Sequence, residues 1–399
     1  MTKFTADFYR NNRNQLIREL PNSLIVIAAN SMVQYSADTA YPFRQDSNFL
    51  YLTGLENPDL VLVIDTQSGE STIILPEQND FQKEWDGILS TSELEDISGI
   101  HKIATKSQLP KLLKNASNQT RNICYLAPLP ERVEPYGFYA NPARRLLEAE
   151  IKKITTEPVD IKIQIARLRQ VKQPVEIEAI QQAIDVTAEG LEDTRSNLKN
   201  YKTEKQIERA LTAKFYENNG DGHGYEPIIA SGKNASVIHY MSNNQSISKN
   251  DLLLLDVGAK VSGYAADISR VWAVSQPNKR QKEIVSACIN LQQKAFRLLK
   301  PGVKIREYQR KMEVEAEKTF KELKCSMLGK QYPHGFSHYL GLDVHDAGDY
   351  DLPLQAGTVL TVEPGIYLPD ENIGVRIEDD VLITNTGIKI LSNNIPSSL

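Results

Sequence analysis

His334, His338 and His345 lie within twelve residues, in the stretch PHGFSHYLGLDVHD, and make up half of the six histidines of the chain. Taken singly, each is an ordinary surface or core residue. Together, with Gly335 and Gly341 permitting close backbone approach, they gather the side chain that titrates near neutral pH and that most often binds metals. The spacing differs from the HExxH helix of zinc proteases. A metal held here needs most of its ligands from elsewhere in the chain.

Acidic candidates follow from strand patterns. In DLLLLDVGAKVSGYAADISRVWAV, four leucines lead into Asp256, and a second strand-like run carries Asp267. A turn centred on Val261 and Ser262 places Asp256 directly opposite Asp267 on an antiparallel pair. Opposed Cβ atoms lie about 4.5–5.5 Å apart, and like charges there are destabilising. Such a pair is tolerable when a cation sits between the carboxylates or one keeps its proton. The alternative, two exposed loop aspartates, requires a different hairpin register. In TVLTVEPGIY, Pro364 forces Glu363 into an extended conformation. In NIGVRIEDDVLIT, Arg376 and Glu378 share one strand face. An arginine beside a glutamate is usually a plain ion pair, but the apolar surroundings predict a buried, oriented one. Asp256, Asp267, Glu363 and Glu378 with one histidine form an oxygen-rich set. Four carboxylates exceed the needs of one ion and suit two metals about 3.5–4 Å apart. The ligand type favours Mn²⁺ or Mg²⁺, with Fe²⁺, Co²⁺ and Zn²⁺ compatible.

Two domains are expected to carry these residues. Up to about residue 128, SLIVIAAN, NFLYLTGL, LVLVIDT, STIILP and NICYLAP read as strands. TSELEDISG and SQLPKLLKNAS read as intervening helices with Ser/Thr starts. That alternation predicts an α/β domain with a largely parallel sheet over residues 1–165, serving as a scaffold or assembly domain. NPARRLLEAEI and PVDIKIQIARLRQ form a helical connector. Residues 166–399 read as an α+β domain with amphipathic helices near 173–198, 203–220, 278–299 and 304–322 between strands. This part holds five of the six histidines, and NNIPSSL reads as a frayed end.

Composition excludes several classes. Hydrophobic residues are 41 % of the 399, enough for real cores, while a net charge of −5 without a basic cluster argues against nucleic acid binding. Cys124, Cys288 and Cys325 are odd in number and far apart, so neither a disulfide framework nor a thiolate zinc site is expected. The expected compartment is reducing, the cytoplasm. The first twenty residues predict an amphipathic helix rather than a secretory leader. No apolar run is long enough to predict a membrane span.

The order Asp…Asp…His…Glu…Glu, in the contexts LLLLDVGA, YAADISR, HGFSHYLGLDVHD, TVEPGIY and RIEDD, resembles the pita-bread metallopeptidases, which include aminopeptidase P, prolidase and methionine aminopeptidase. YPFRQDSNFLYLTGLENPDLVLVI resembles the N-terminal domain of the aminopeptidase P group, so the likeness spans nearly the whole chain. It implies an α/β N-terminal domain and a C-terminal catalytic domain of pita-bread (creatinase/aminopeptidase) type. It also implies Asp256, Asp267, His338, Glu363 and Glu378 as ligands of two metals, most often Mn²⁺, with Asp267 and Glu378 bridging. Asp256 would serve one metal, His338 and Glu363 the other. His239 (in SVIHYMS), His334 and His345 would surround them, and Arg376 would orient Glu378 or reach substrate. The likeness around Trp85 is partial: the basic continuation after KEWDGILST is absent. A role for Trp85 at a neighbouring subunit's site, and a homo-oligomer (dimer or tetramer), are further implications.

The activity implied is hydrolysis of the bond between a first residue and a proline in second position, by a hydroxide that two metals generate at neutral pH. Glu363 would move the proton, His239 and His345 would donate to the carbonyl, and His334 would line the proline pocket. Prolidase, which cuts only dipeptides, is the rival reading, and Ser337 before His338 favours aminopeptidase P. A pita-bread protein that has lost catalysis and only binds peptides or partners would be expected to lack ligands, and all five are present.

Overall fold

The computed structural model describes residues 4–85, 87–134, 136–326 and 332–399. It divides into two compact units, Phe4–Leu168 and Arg169–Leu399.

In the first unit the strand Ser23–Ala28 is buried along its whole length. It pairs in parallel with Asn122–Tyr125 and antiparallel with Val61–Asp65. The six-stranded sheet runs Val159–Asp160, Asn122–Tyr125, Ser23–Ala28, Val61–Asp65, Ser71–Leu75, Lys102–Thr105. Three of its five pairings are parallel, and the two antiparallel ones both involve Val61–Asp65. NFLYLTGL, expected as a strand, is instead the helix Ser47–Thr53. Asp46 caps it by accepting from the backbone of Asn48 and Phe49, and Gly54 ends it at φ 71°. Those two end signals outweigh the β-propensity of a short apolar run. Phe81 and Trp85 stack with ring centroids 5.1 Å apart on the exposed helix Asp80–Trp85.

In the second unit, Leu252–Val257 is the centre of a three-stranded antiparallel sheet between Ile228–Ser231 and Ile268–Ala273. Leu252 and Leu254 point into a core shared with Ile284, Cys288 and Leu291 of the helix Lys279–Leu298. Each such burial stabilises the fold by about 1.5–3 kcal/mol. Asp256 is next on the same face, so the leucine packing carries a carboxylate into the interior. The hairpin turn is Ser262–Gly263, with φ of 50° and 86°. Both left-handed positions suit a two-residue turn of the primed type, which matches strand twist. The turn therefore falls one residue later than the sequence predicted. Asp256 pairs with Ser269, and Asp267 lies two residues further along the same face, a diagonal neighbour rather than a direct one.

A second ladder joins Val359–Val362 to Asp379–Ile383, and a hairpin joins Gly365–Leu368 to Ile373–Arg376. The two pairings keep one register across an interruption at Glu363–Pro364 and Ile377–Glu378. The proline has no N–H to give the ladder. Of the tail NNIPSSL, expected to fray, Asn393, Asn394, Pro396 and Ser398 are exposed, but Ile395 is packed at 8 % exposure.

Among the described residues, no helix is long and apolar enough to cross a membrane.

Candidate active site

Every acid singled out in the sequence arrives in one buried cluster, and each is placed by backbone pairing. Glu363 and Glu378 face one another in the ladder interruption. The Glu363 N–H donates to the Phe336 carbonyl at 3.1 Å, and the Glu378 N–H to the Ser269 carbonyl at 3.1 Å. The second bond ties the Glu378 break to the strand Ile268–Ala273, which Asp267 immediately precedes. Thr361 and His338 exchange two bonds, Thr361 N to His338 O at 3.0 Å and His338 N to Thr361 Oγ1 at 3.1 Å. His338 is thereby set beside Glu363.

The His338 ring is oriented from behind. Its Nδ1 donates to the Tyr339 carbonyl at 3.0 Å, leaving Nε2 3.4 Å from Asp267 Oδ2 and 3.3 Å from Glu363 Oε1. Such a back bond fixes which nitrogen faces a metal. Ligand atoms of Asp267, His338 and Glu378 come within 4.8 Å of one another. Asp256 joins them through Tyr225, whose hydroxyl is 2.6 Å from Oδ1 of Asp256 and 2.6 Å from Oδ1 of Asp267.

Arg376 is buried as expected, but its main partner is Asp256, which Nη2 contacts directly. It stands 3.9 Å from Glu378 and reaches it through Ser269. Nε donates to Ser269 Oγ at 2.9 Å, and Ser269 Oγ donates to Glu378 Oε2 at 2.6 Å. Nη1 donates to the Tyr367 hydroxyl at 2.9 Å, which lies 2.8 Å from His334 Nε2. His334 Nδ1 donates to the Gly335 carbonyl at 2.7 Å, so its Nε2 is the acceptor for Tyr367. His334 stays neutral: burial and the nearby Arg376 charge push its pKa down to about 4. Tyr332, His334, Phe336 and Tyr367 form an aromatic wall, with Tyr332 and Phe336 stacked at 4.0 Å.

His345 packs edge-on against His338 with centroids 4.4 Å apart and is exposed. Burial of part of its ring, with His338 and His239 nearby, pushes its pKa down to about 4. Its loop is anchored by the next residue, Asp346, buried against Arg169 and against Lys172 Nζ at 3.0 Å. His239 is also exposed, and a charge on it disfavours charge on both His334 and His345, so the three rings share one neighbourhood. Its loop hangs from Glu204, whose carboxylate accepts from Ser231, Asn234, Tyr240 and Gln245.

The cluster is short of positive charge. Burial and mutual repulsion raise Asp267, push Glu363 up to about 7, and hold Glu378 well above the carboxylate range. Burial alone would discharge His338, yet its bond to Asp267 and the Glu363 charge lift it to about 9. Hard oxygen donors with one imidazole nitrogen, crowded and under-neutralised, fit divalent metal ions.

Tyr225, Ser269 and Tyr367 went unseen in the sequence. The correct hairpin register would have found Ser269 opposite Asp256. Nothing local marks Tyr225 or Tyr367 among seventeen tyrosines.

Residues 178–385 match the model of metallopeptidase family M24, and residues 9–125 match the aminopeptidase P N-terminal domain. Fold and site are those of an M24 metal-dependent hydrolase. The chain is 32 % identical to Xaa-Pro aminopeptidase of Haemophilus influenzae, covering 100 % of this chain and 97 % of the relative. Identity to human Xaa-Pro aminopeptidase 3 is also 32 %, over 94 % of this chain and 79 % of the relative. The structure of Escherichia coli aminopeptidase P in its low-pH form superposes with a TM-score of 0.84 at 26 % identity, covering 99 % and 97 % of the two chains. That enzyme has also been solved zinc-substituted with product. The chain belongs to the aminopeptidase P family and is an Xaa-Pro aminopeptidase-like metalloexopeptidase.

Proposed function

We propose that this protein releases the first residue from peptides of three or more residues that carry proline in second position. It would use two divalent metals, Mn²⁺ for preference, held by Asp256, Asp267, His338, Glu363 and Glu378. The observation that carries the reading is the under-neutralised cluster of four carboxylates around His338 Nε2. Asp267 and Glu378 are our choice of bridging ligands, with Asp256 on one metal and His338 and Glu363 on the other. When bound, the metals supply a nucleophile from water at neutral pH.

The remaining steps belong to the chain. Glu363, at the rim of the buried cluster, takes and returns the proton. His345, exposed and packed against His338, and His239, exposed and near His345, donate N–H bonds to the carbonyl under attack and to its developing charge. The free amino group of the substrate sits against the acidic cluster near Asp256, which favours exopeptidase cleavage. His334, with its ring nitrogens engaged, contributes to an apolar wall for the proline. An Xaa-Pro amide has no N–H to satisfy there. Alanine in place of proline brings a buried donor that costs roughly 1–3 kcal/mol, besides lost ring contacts.

In this reading residues 166–399 form the catalytic domain and residues 1–165 serve assembly into a dimer or tetramer. The exposed Phe81–Trp85 stack supports a contact with a second copy, and sedimentation velocity tests it. The three free cysteines support a reducing compartment, the cytoplasm, which fractionation tests.

The decisive assay compares kcat/KM on Ala-Pro-Ala, Ala-Ala-Ala and the dipeptide Ala-Pro, with metal-stripped and Mn²⁺-loaded protein. We expect Mn²⁺-dependent cleavage of Ala-Pro-Ala at least about a hundredfold faster than of Ala-Ala-Ala. Equal rates on the tripeptides defeat the proline assignment, and cleavage of the dipeptide alone makes the protein a prolidase.

A further inference from the structure

Arg270 is 1 % exposed in the strand Ile268–Ala273, opposite Leu255. A guanidinium has five N–H bonds to satisfy, and here each has an acceptor. Nη1 donates to the carbonyls of Ser269 at 2.9 Å and Glu378 at 2.5 Å. Nη2 donates to Asp379 Oδ1 at 2.6 Å and to the Ile395 carbonyl at 2.8 Å. Nε donates to the Pro396 carbonyl at 3.1 Å. Ser392 Oγ donates to the same Asp379 Oδ1 at 2.6 Å, and Gln292 Nε2 lies 2.9 Å from Asp379 Oδ2. Gln292 Nε2 also lies 3.1 Å from the carbonyls of Val362 and Ile377, the residues just before Glu363 and Glu378.

These bonds answer a problem that the ladder interruption creates. At the interruption the Ile377 carbonyl faces Pro364, which has no N–H to give it, and buried carbonyls left unpaired are costly. Gln292 supplies a donor there from behind, and Arg270 holds the Glu378 carbonyl. The acceptors that complete Arg270 come from the last turn of the chain.

We propose that Arg270 is a positioning residue for the reaction: together with the carbonyls of Ile395 and Pro396 it sets the backbone of Glu378, and hence the affinity of the site for metal. This rests on Glu378 being a metal ligand, as proposed above. Lysine keeps the charge but offers a point ammonium with three donors, and cannot reproduce the five-way fork. Removal of residues 393–399 leaves the arginine in place but takes away two of its acceptors.

The experiment is calorimetric titration of Mn²⁺ into metal-free wild type, Arg270→Lys and the chain lacking 393–399, with melting curves for each. Loss of partners behind a metal ligand typically costs 10- to 100-fold in affinity. We expect Mn²⁺ dissociation constants raised by about that factor in both variants, and turnover restored towards wild type at saturating Mn²⁺. If Arg270→Lys does not fold, the truncated chain decides alone. A folded variant that melts earlier yet binds Mn²⁺ as tightly as wild type overturns the positioning role and leaves a merely structural one. Failure of wild type itself to bind Mn²⁺ strikes instead at the metal-site reading.

Discussion

Arg376 holds Asp256 directly and Glu378 only through the Ser269 hydroxyl. One cation thus sets two acids on two different strands, and its third arm fixes Tyr367 against His334. Lysine can keep one of these bonds but not three. Arg376→Lys is expected to lower kcat/KM by about 10- to 100-fold, the loss of a charge-assisted bond of roughly 1.5–3 kcal/mol. Peptide kinetics at saturating Mn²⁺ check this. An unchanged rate would mean that Asp256 and Glu378 hold their positions unaided.

Asp267 carries charge into a crowd of acids, so its loss should act in opposite directions with and without metal. Asp267→Asn is expected to abolish turnover while leaving the metal-free melting temperature unchanged or higher. Wild type should gain about 4 kcal/mol at a thousandfold excess of metal over its dissociation constant. The gain should fall mainly on the unit Arg169–Leu399, and the variant should show much less of it. Melting curves with and without chelator measure both. Near-normal turnover with full metal content would remove Asp267 from the site.

His345 touches His338 by ring contact and faces solvent. His345→Ala should retain metal and lose about 10²–10³ in kcat, the cost of one lost donor to a developing oxyanion. Metal content by atomic absorption, set beside kcat, separates this outcome from loss of a ligand.

Asp346 offers a test in the acid range. Burial alone would raise its pKa, but Arg169 and Lys172 outweigh burial and hold it below the ordinary carboxylate value. A depressed folded pKa means that the ionised group stabilises the fold above the unfolded value of about 3.9, and that this contribution is lost as pH falls through the folded value. Metal-free Asp346→Asn should therefore be less stable than wild type by about 3–5 kcal/mol near neutral pH. The difference should shrink as the pH drops below about 4. A pH-independent difference would show that the cluster is held by shape alone.

Ligand types were legible in the sequence because an acid at the end of a buried apolar run stands out among its neighbours. Asp256 after four leucines and Glu363 before Pro364 are local signals of that kind. The hairpin register was not, because Ser262 adopts a left-handed conformation that serine does not advertise, and one residue of slip hid Ser269. NFLYLTGL was misread because a short run with five apolar side chains fits a strand or two helical turns equally well. The flanking Asp46 and Gly54 decide it. The partners of Arg376 were not read: Asp256 and Ser269 meet it only through tertiary packing, and Tyr367 is its diagonal neighbour across the hairpin.

The ladder interruption has one more consequence, for how this chain can vary. Glu363 and Glu378 form the root of the hairpin Gly365–Leu368 and Ile373–Arg376, whose tip is the turn Pro369–Glu371. Side chains on a strand alternate faces with a period of two. Adding two residues to each arm at the tip leaves every face at the root as it was, while a slip of one turns Arg376 and Tyr367 away together. Lengthening the tip in matched pairs therefore costs the contact of Glu371 with Arg280, at 2.7 and 2.8 Å, and leaves the acids at its base undisturbed.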